Sequence, residues 1–160
     1  MKIGISTNRA ENRAKPFLDQ LGPEVIISSG GTLVHSDGEI IFRAEFSPTG
    51  AQRVLDLIQK VCGAEAEITM DTVDAHYWNR RAEPGQMDNS WADTIYCDFT
   101  QYHGEALKIS ASITNETFPL LKSALPDCDC LRHTGVDWCK ITKANATKGN
   151  ALLELYRAPA

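Results

Sequence analysis

Apolar positions along the chain change rhythm several times, and each change marks an element. Residues 2–6, KIGIS, form a short apolar run that predicts a buried strand. The polar turn TNRAENR follows. Phe17, Leu18 and Leu21 then share one face of a helix predicted over 10–21, which Gly22-Pro23 stops. EVIISSGG is a continuous apolar run of the kind found in a parallel strand covered on both faces. Strand, helix and strand at this spacing predict a βαβ unit with a right-handed crossover.

From residue 32 the pattern changes. TLVHSDGEIIFRAEF places two apolar runs around Asp37-Gly38, a hairpin signal. Ser47-Pro48 predicts an N-cap with proline at the first helical position. Val54, Leu55, Leu57, Ile58 and Val61 recur at helical spacing, and Gly63 closes that helix. AEITMDTVDAHYW, residues 66–78, alternates as a single strand. The polar segment 79–93, with its Pro-Gly turn, reads as a loop. ALKISASI puts Leu107, Ile109, Ala111 and Ile113 on one face. A helix near 117–125 presents Phe118, Leu121 and Leu125. Strands are predicted near 127–133 and 136–142, and a last helix from about Thr147 carries Leu152, Leu153 and Tyr156. Residues 40–142 thus suit an α+β layer, helices on one face of a mainly antiparallel sheet. The two ends look like pieces of a parallel α/β sheet.

Composition narrows the class. At 160 residues the chain fits one domain, or one compact domain with pieces of a second, and 42% hydrophobic residues suffice for a core. A net charge of −5 and a pI near 5.3 argue against a general nucleic-acid binder. No apolar run approaches the ~20 residues of a membrane span, and the first residues lack the layout of a signal peptide. Five cysteines in such a chain read as reduced thiols of a cytoplasmic protein.

Two places carry candidate chemistry. Thr7 follows the first strand, where its hydroxyl either binds an oxyanion together with backbone N–H groups or caps the helix at 10–21. In NATKGNALLEL, Asn145 or Thr147 is the expected N-cap, with Lys148 and Gly149 in the first turn. A lysine there opposes the helix dipole unless an anion joins it; the other reading is a solvated lysine. Gly149 lets another backbone approach. Cys128, Cys130, His133 and Cys139 suit either a zinc cluster or strand burial. His76, Tyr77, Trp78, Trp91 and His103 suit either a pocket lining or a core rim, and Asp88 and Asp93 read as loop charges.

These motifs, in this order, resemble the haloacid dehalogenase superfamily, and within it the Cof-type phosphatases, whose α/β core carries a large inserted cap. ISTNR is similar to the family's strand followed by Thr-Gly-Arg. EVIISSGGTLVHSDGEIIFRAEF is similar to its Asn-Gly-Ala strand and the hairpin into the cap. SPTGAQRVLDLIQK resembles the first cap helix, and VDWCKITKANATKGNALLEL the return to the core, ending in the family's Lys-Gly. The resemblance implies an α/β fold with a partial Rossmann-like core at 1–36, a cap at 37–142 and a return to the core at 143–160.

The resemblance also implies roles. Thr7 and Lys148 would be catalytic, holding the transferring phosphoryl group of a small phosphorylated metabolite. Asn8, Arg9, Ser29, Gly30 and Gly149 would line the substrate site. Asn8 stands where the family has glycine, and Ser29 where it has asparagine. The family's nucleophile lies in an Asp-x-Asp-Gly-Thr segment and its Mg²⁺ ligands in Gly-Asp-x-x-Asn-Asp; neither segment occurs in these residues. Asp37-Gly38 offers no partner aspartate. The expectation is therefore a truncated phosphatase, inactive alone and binding no metal itself, with Mg²⁺ expected for the full-length family member. The alternative is a binding or assembly module that dimerises, or docks on a complementary chain, through unpaired sheet edges. Neither a nucleic acid nor a membrane is an expected partner.

Overall fold

The structure is a computed structural model and describes residues 3–81 and 94–157. Two sheets divide the chain. The smaller has four strands in the order β1-β2-β3-β4, and the larger six, in the order β7-β6-β5-β8-β10-β9.

The smaller sheet begins as the sequence predicts. β1 (Gly4–Ser6) runs parallel to β2 (Val25–Ser28), joined by α1 (Glu11–Leu21). Gly22 ends α1 in the left-handed region, φ 54°, and donates its N–H to the Leu18 carbonyl. β3 (Leu33–Ser36) and β4 (Glu39–Arg43) add an antiparallel hairpin to β2. Its turn is Asp37-Gly38, both at positive φ, which suits the strand twist. β4 therefore belongs to the smaller sheet.

The larger sheet is a two-layer unit. α2 (Pro48–Cys62) starts at Ser47, whose hydroxyl accepts the Gly50 N–H, and ends at Gly63. α3 is Thr117–Ala124. Ala51, Val54, Leu55 and Ile58 of α2 and Leu121 of α3 pack on β5 (Ile68–Asp71), β8 (Lys108–Ser112), β9 (Cys128–Arg132) and β10 (Trp138–Lys143). Ile68, Met70, Ile109, Ala111, Cys139 and Ile141 point into that layer, so their neighbours in sequence point to the other face.

Two expectations are corrected. Residues 66–78 are not one strand: β5 turns back into β6 (His76–Trp78). Thr72 makes the turn, its hydroxyl accepting the Ala75 N–H while its own N–H binds the Ala75 carbonyl. The apolar faces of the flanking helices are also largely unburied. In α1 only Ala14 and Leu18 are buried, and in α4 (Lys148–Arg157) only Ala151. Phe17, Leu21, Leu152, Leu153 and Tyr156 are exposed, because among the described residues no sheet or helix packs over those faces. β7 (Thr94–Tyr96) pairs with β6 in parallel. The expected loop at 79–93 lies mostly outside the described residues, as do Asp88, Trp91 and Asp93.

Candidate functional site

Three short segments converge at one corner of the smaller sheet. Thr7 leaves β1 with its N–H on the Ile27 carbonyl, 2.8 Å. Its hydroxyl oxygen accepts the Arg9 N–H at 3.1 Å. The residue capping α1 is Ala10, which has no side-chain bond, so Thr7 closes a local turn and is not the helix cap. Its hydroxyl hydrogen is left to donate elsewhere.

The loop after β2 is laced to that turn. Gly30 donates its N–H to the Thr7 carbonyl (3.1 Å) and Ser29 to the Arg9 carbonyl (2.8 Å). Ser29, Gly30 and Gly31 all have positive φ. Gly31 presses on the first turn of α4. A Cβ there would lie 2.6 Å from the Thr147 carbonyl oxygen and inside any contact distance of the Lys148 nitrogen. Gly31 thus makes the close approach expected of Gly149, where a Cβ would meet only the Thr147 hydroxyl, at 3.9 Å. Thr147 is the N-cap of α4, its hydroxyl accepting the Asn150 N–H at 3.1 Å. Thr7 and Lys148 therefore flank one corner, residues 29–31. Arg9 turns to α1, its guanidinium 5.4 Å from the centre of the Phe17 ring.

The polar face of the larger sheet lies over this corner. Lys108 donates to the Asn8 carbonyl at 2.6 Å, and the Lys140 ammonium is 3.5 Å from the Gly30 carbonyl. Asp71, fully buried, holds Lys108 at 2.6 Å and the His76 Nδ1 at 2.6 Å. The His76 Nε2 faces the Arg13 guanidinium at 3.3 Å. A guanidinium only donates, so Nε2 accepts and Nδ1 carries the hydrogen that Asp71 takes. Burial alone would push the Asp71 carboxyl up; the Lys108 charge and the His76 hydrogen bond outweigh it and hold it down at about 2. This chain of contacts leaves the smaller sheet at Arg13 and returns to it at Asn8.

Sequence reading missed Asp71, Lys108 and Lys140. The signal was present: on β8 and β10 the residues between the apolar ones are polar yet occupy central strands, so something had to cover them.

The cysteines divide from His133. Cys130 and Cys139 sit in the main core and Cys128 packs against it. Burial pushes the thiols of Cys130 and Cys139 up to about 11 and about 12. His133 is lowered by burial and by Lys108 and Lys140, which places it with the polar face. Among the described residues no three His, Cys, Asp or Glu side chains are grouped to hold a metal, so the residues present do not fit Mg²⁺. Two open grooves of about 500 Å³ flank the strand connections; neither is lined by residues 7–9, 29–31 or 148.

Comparison with known proteins decides the family. A haloacid dehalogenase-like hydrolase family matches residues 1–158. The chain belongs to that family. Its fold is similar to a HAD subclass IIB sugar phosphatase (14% identity, TM-score 0.70), covering 98% of this chain and 62% of that one. A haloacid dehalogenase-like hydrolase from B. subtilis matches with TM-score 0.75 at 14% identity, over 98% of this chain and 66% of the other. A Thermotoga maritima protein gives TM-score 0.75 at 14% identity, over 98% and 62%. No curated protein matches. The chain spans less than two thirds of the length of these solved structures. The expected α/β fold is borne out. Among the described residues, no helix is long and apolar enough to cross a membrane.

Proposed function

We propose that the chain forms the cap and part of the core of a phosphohydrolase acting on small phosphorylated metabolites through a phospho-aspartate. The observation that carries this reading is the corner at residues 29–31, bonded to the Thr7 turn on one side and pressed on the α4 N-terminus on the other. Thr7 would donate its free hydroxyl hydrogen to a phosphoryl oxygen. Lys148 and the first N–H groups of α4 would balance the charge on the other oxygens, which is the main work phosphoryl transfer asks of a protein. Asn8, Arg9, Ser29, Gly30 and Gly149 would border the substrate. One structural relative is described as a sugar phosphatase, which supports a phosphorylated sugar as the substrate class. The larger sheet and its helices would be the cap, excluding water when closed. The membership of β4 in the smaller sheet supports starting the cap after Arg43 rather than at residue 37.

The nucleophilic aspartate and the Mg²⁺ ligands of the family would come from sequence outside these residues. A polypeptide of these 160 residues should bind inorganic phosphate without hydrolysing esters. In a titration with inorganic phosphate followed by amide NMR, shifts are expected at residues 7–9, 29–31 and 147–149 and lost in Lys148→Ala. Shifts confined to other residues would overturn the assignment. Hydrolysis of p-nitrophenyl phosphate by the pure polypeptide, abolished by Lys148→Ala, would overturn the inactivity.

A second reading is favoured by β1, which has no partner on its outer edge among the described residues, and by exposed Phe17 and Leu21 of α1. These would dock a second copy or a complementary chain. Mass by size-exclusion chromatography at several concentrations tests this, and a monomer at the highest concentration counts against it.

A further inference from the structure

The centre of the larger sheet's polar face is buried: Asp71, Lys108, Ser110, Lys140 and Thr142 are all covered. Lys140 is 8% exposed and Thr142, two residues along the same strand face, is 0% exposed. Lys108, on the neighbouring strand, is neutralised by Asp71. Lys140 is not: among the described residues no carboxylate lies within ion-pair distance of it. The charges that act on it most are like charges, Lys108 and Lys148, with Asp129 a weaker attraction. Lys148 likewise forms no ion pair among the described residues. The Lys140 ammonium reaches the loop corner, and a Cβ on Gly30 would sit 3.0 Å from it. On the same strand face the Thr142 hydroxyl, and on the loop the Ser29 hydroxyl, are buried without a hydrogen-bond partner among the described residues.

A buried ammonium repelled by two others, without a counter-ion among the described residues, opposes folding. Buried hydroxyls left unbonded add to that. Both become favourable once an anion enters. A phosphoryl group held by Lys148 and the α4 N-terminus is bound from the smaller-sheet side of the corner, whereas Lys140 reaches the corner from the larger sheet, at Gly30, and is the cation left for a second anionic group.

We propose that Lys140 is a specificity residue carried by the cap, and that it selects substrates bearing a second oxyanion, a carboxylate or a further phosphate, besides the phosphoester. This rests on the phosphohydrolase reading. Thr142 lies on the same face to donate to the same group. Lys108 is excluded from the role because Asp71 and the Asn8 carbonyl already occupy it.

Calorimetric binding to the 160-residue chain tests the assignment with matched pairs: glycerol 3-phosphate against 3-phosphoglycerate, and fructose 6-phosphate against fructose 1,6-bisphosphate. At least one doubly anionic partner is expected to bind tenfold or more tighter than its match, and which one shows whether the second group is carboxylate or phosphate. In Lys140→Met that ratio should fall to near one, while Lys140→Arg should keep it. Lys140→Met without ligand should melt no lower than wild type, since an unbalanced cation is gone. Equal weakening of all four ligands in Lys140→Met would place Lys140 on the transferring phosphate and overturn the assignment. Equal affinities within each pair in wild type would overturn it too, with the phosphohydrolase reading intact. Failure of all four ligands and of inorganic phosphate to bind would overturn that reading and this one together.

Discussion

The Lys108 ammonium lies 2.6 Å from the Asn8 carbonyl oxygen and 2.6 Å from the Asp71 carboxylate. One charge therefore binds a buried carboxylate of the larger sheet to a loop of the smaller. Lys108→Met keeps much of the side-chain volume and removes both bonds. It leaves Asp71 with His76 alone. Unfolding free energy from urea titration should fall by about 3 kcal/mol, the usual result of breaking a buried pair from one side. Amide exchange in residues 7–9 should rise in the same variant, because the Asn8 carbonyl loses its tie to the larger sheet.

The Asp71 carboxyl gives the fold an acid limit. It titrates at about 2 in the folded chain against 3.8 ordinarily. A depressed carboxyl contributes stability that is fully present above the ordinary value and is lost as pH falls through the folded one. The stability gap between wild type and Asp71→Asn should hold steady from neutral pH down to about pH 4. It should then narrow by about 2 kcal/mol as pH approaches 2. Urea midpoints measured at each pH check this, and a gap that widens on acidification would contradict it.

The elements of the first third of the chain were legible because local signals set them. Gly22-Pro23, Asp37-Gly38 and Ser47-Pro48 each force a turn or cap whatever surrounds them, and each is found in place. The break at Thr72 was not legible. Its turn depends on one hydroxyl bonding the Ala75 N–H, while the flanking residues alternate without interruption. The corner of Thr7, Gly30 and Lys148 was approachable only through the order of motifs, since no local pattern says that residues 7 and 148 meet. Lys108 and Lys140 were hidden for a different reason. Lysine is expected at the surface, and only the packing of two sheets shows that these are inside.

The thiols give a separate check on the packing. Cys130 and Cys139 are buried among aliphatic side chains, and both thiols are pushed far above neutral pH by that burial. Both should resist alkylation by iodoacetamide at pH 8 in the folded chain and react fully in urea. Cys62, Cys97 and Cys128, only partly buried, should label first. Mass spectrometry of peptides from a timed reaction reads the order. Early labelling of Cys139 would show that the sheet and its helices do not pack as described.

Gly31 is where shape and site coincide. Its φ of +105° is a conformation that side-chain-bearing residues rarely adopt, and its Cα lies against the Thr147–Lys148 peptide. Gly22 provides the control. It also has positive φ, +54°, but a Cβ there would meet nothing within 4 Å. Gly22→Ala should therefore cost only the backbone term, about 1 kcal/mol. Gly31→Ala adds a clash with backbone that no rotamer can relieve, and the total should exceed about 3 kcal/mol. If α4 instead shifts to make room, stability falls less but Lys148 moves off the corner. Phosphate-induced NMR shifts at residues 147–149 would then vanish in Gly31→Ala and persist in Gly22→Ala. Equal losses in the two variants, with phosphate binding unchanged, would show that Gly31 does not set the distance between the loop and Lys148.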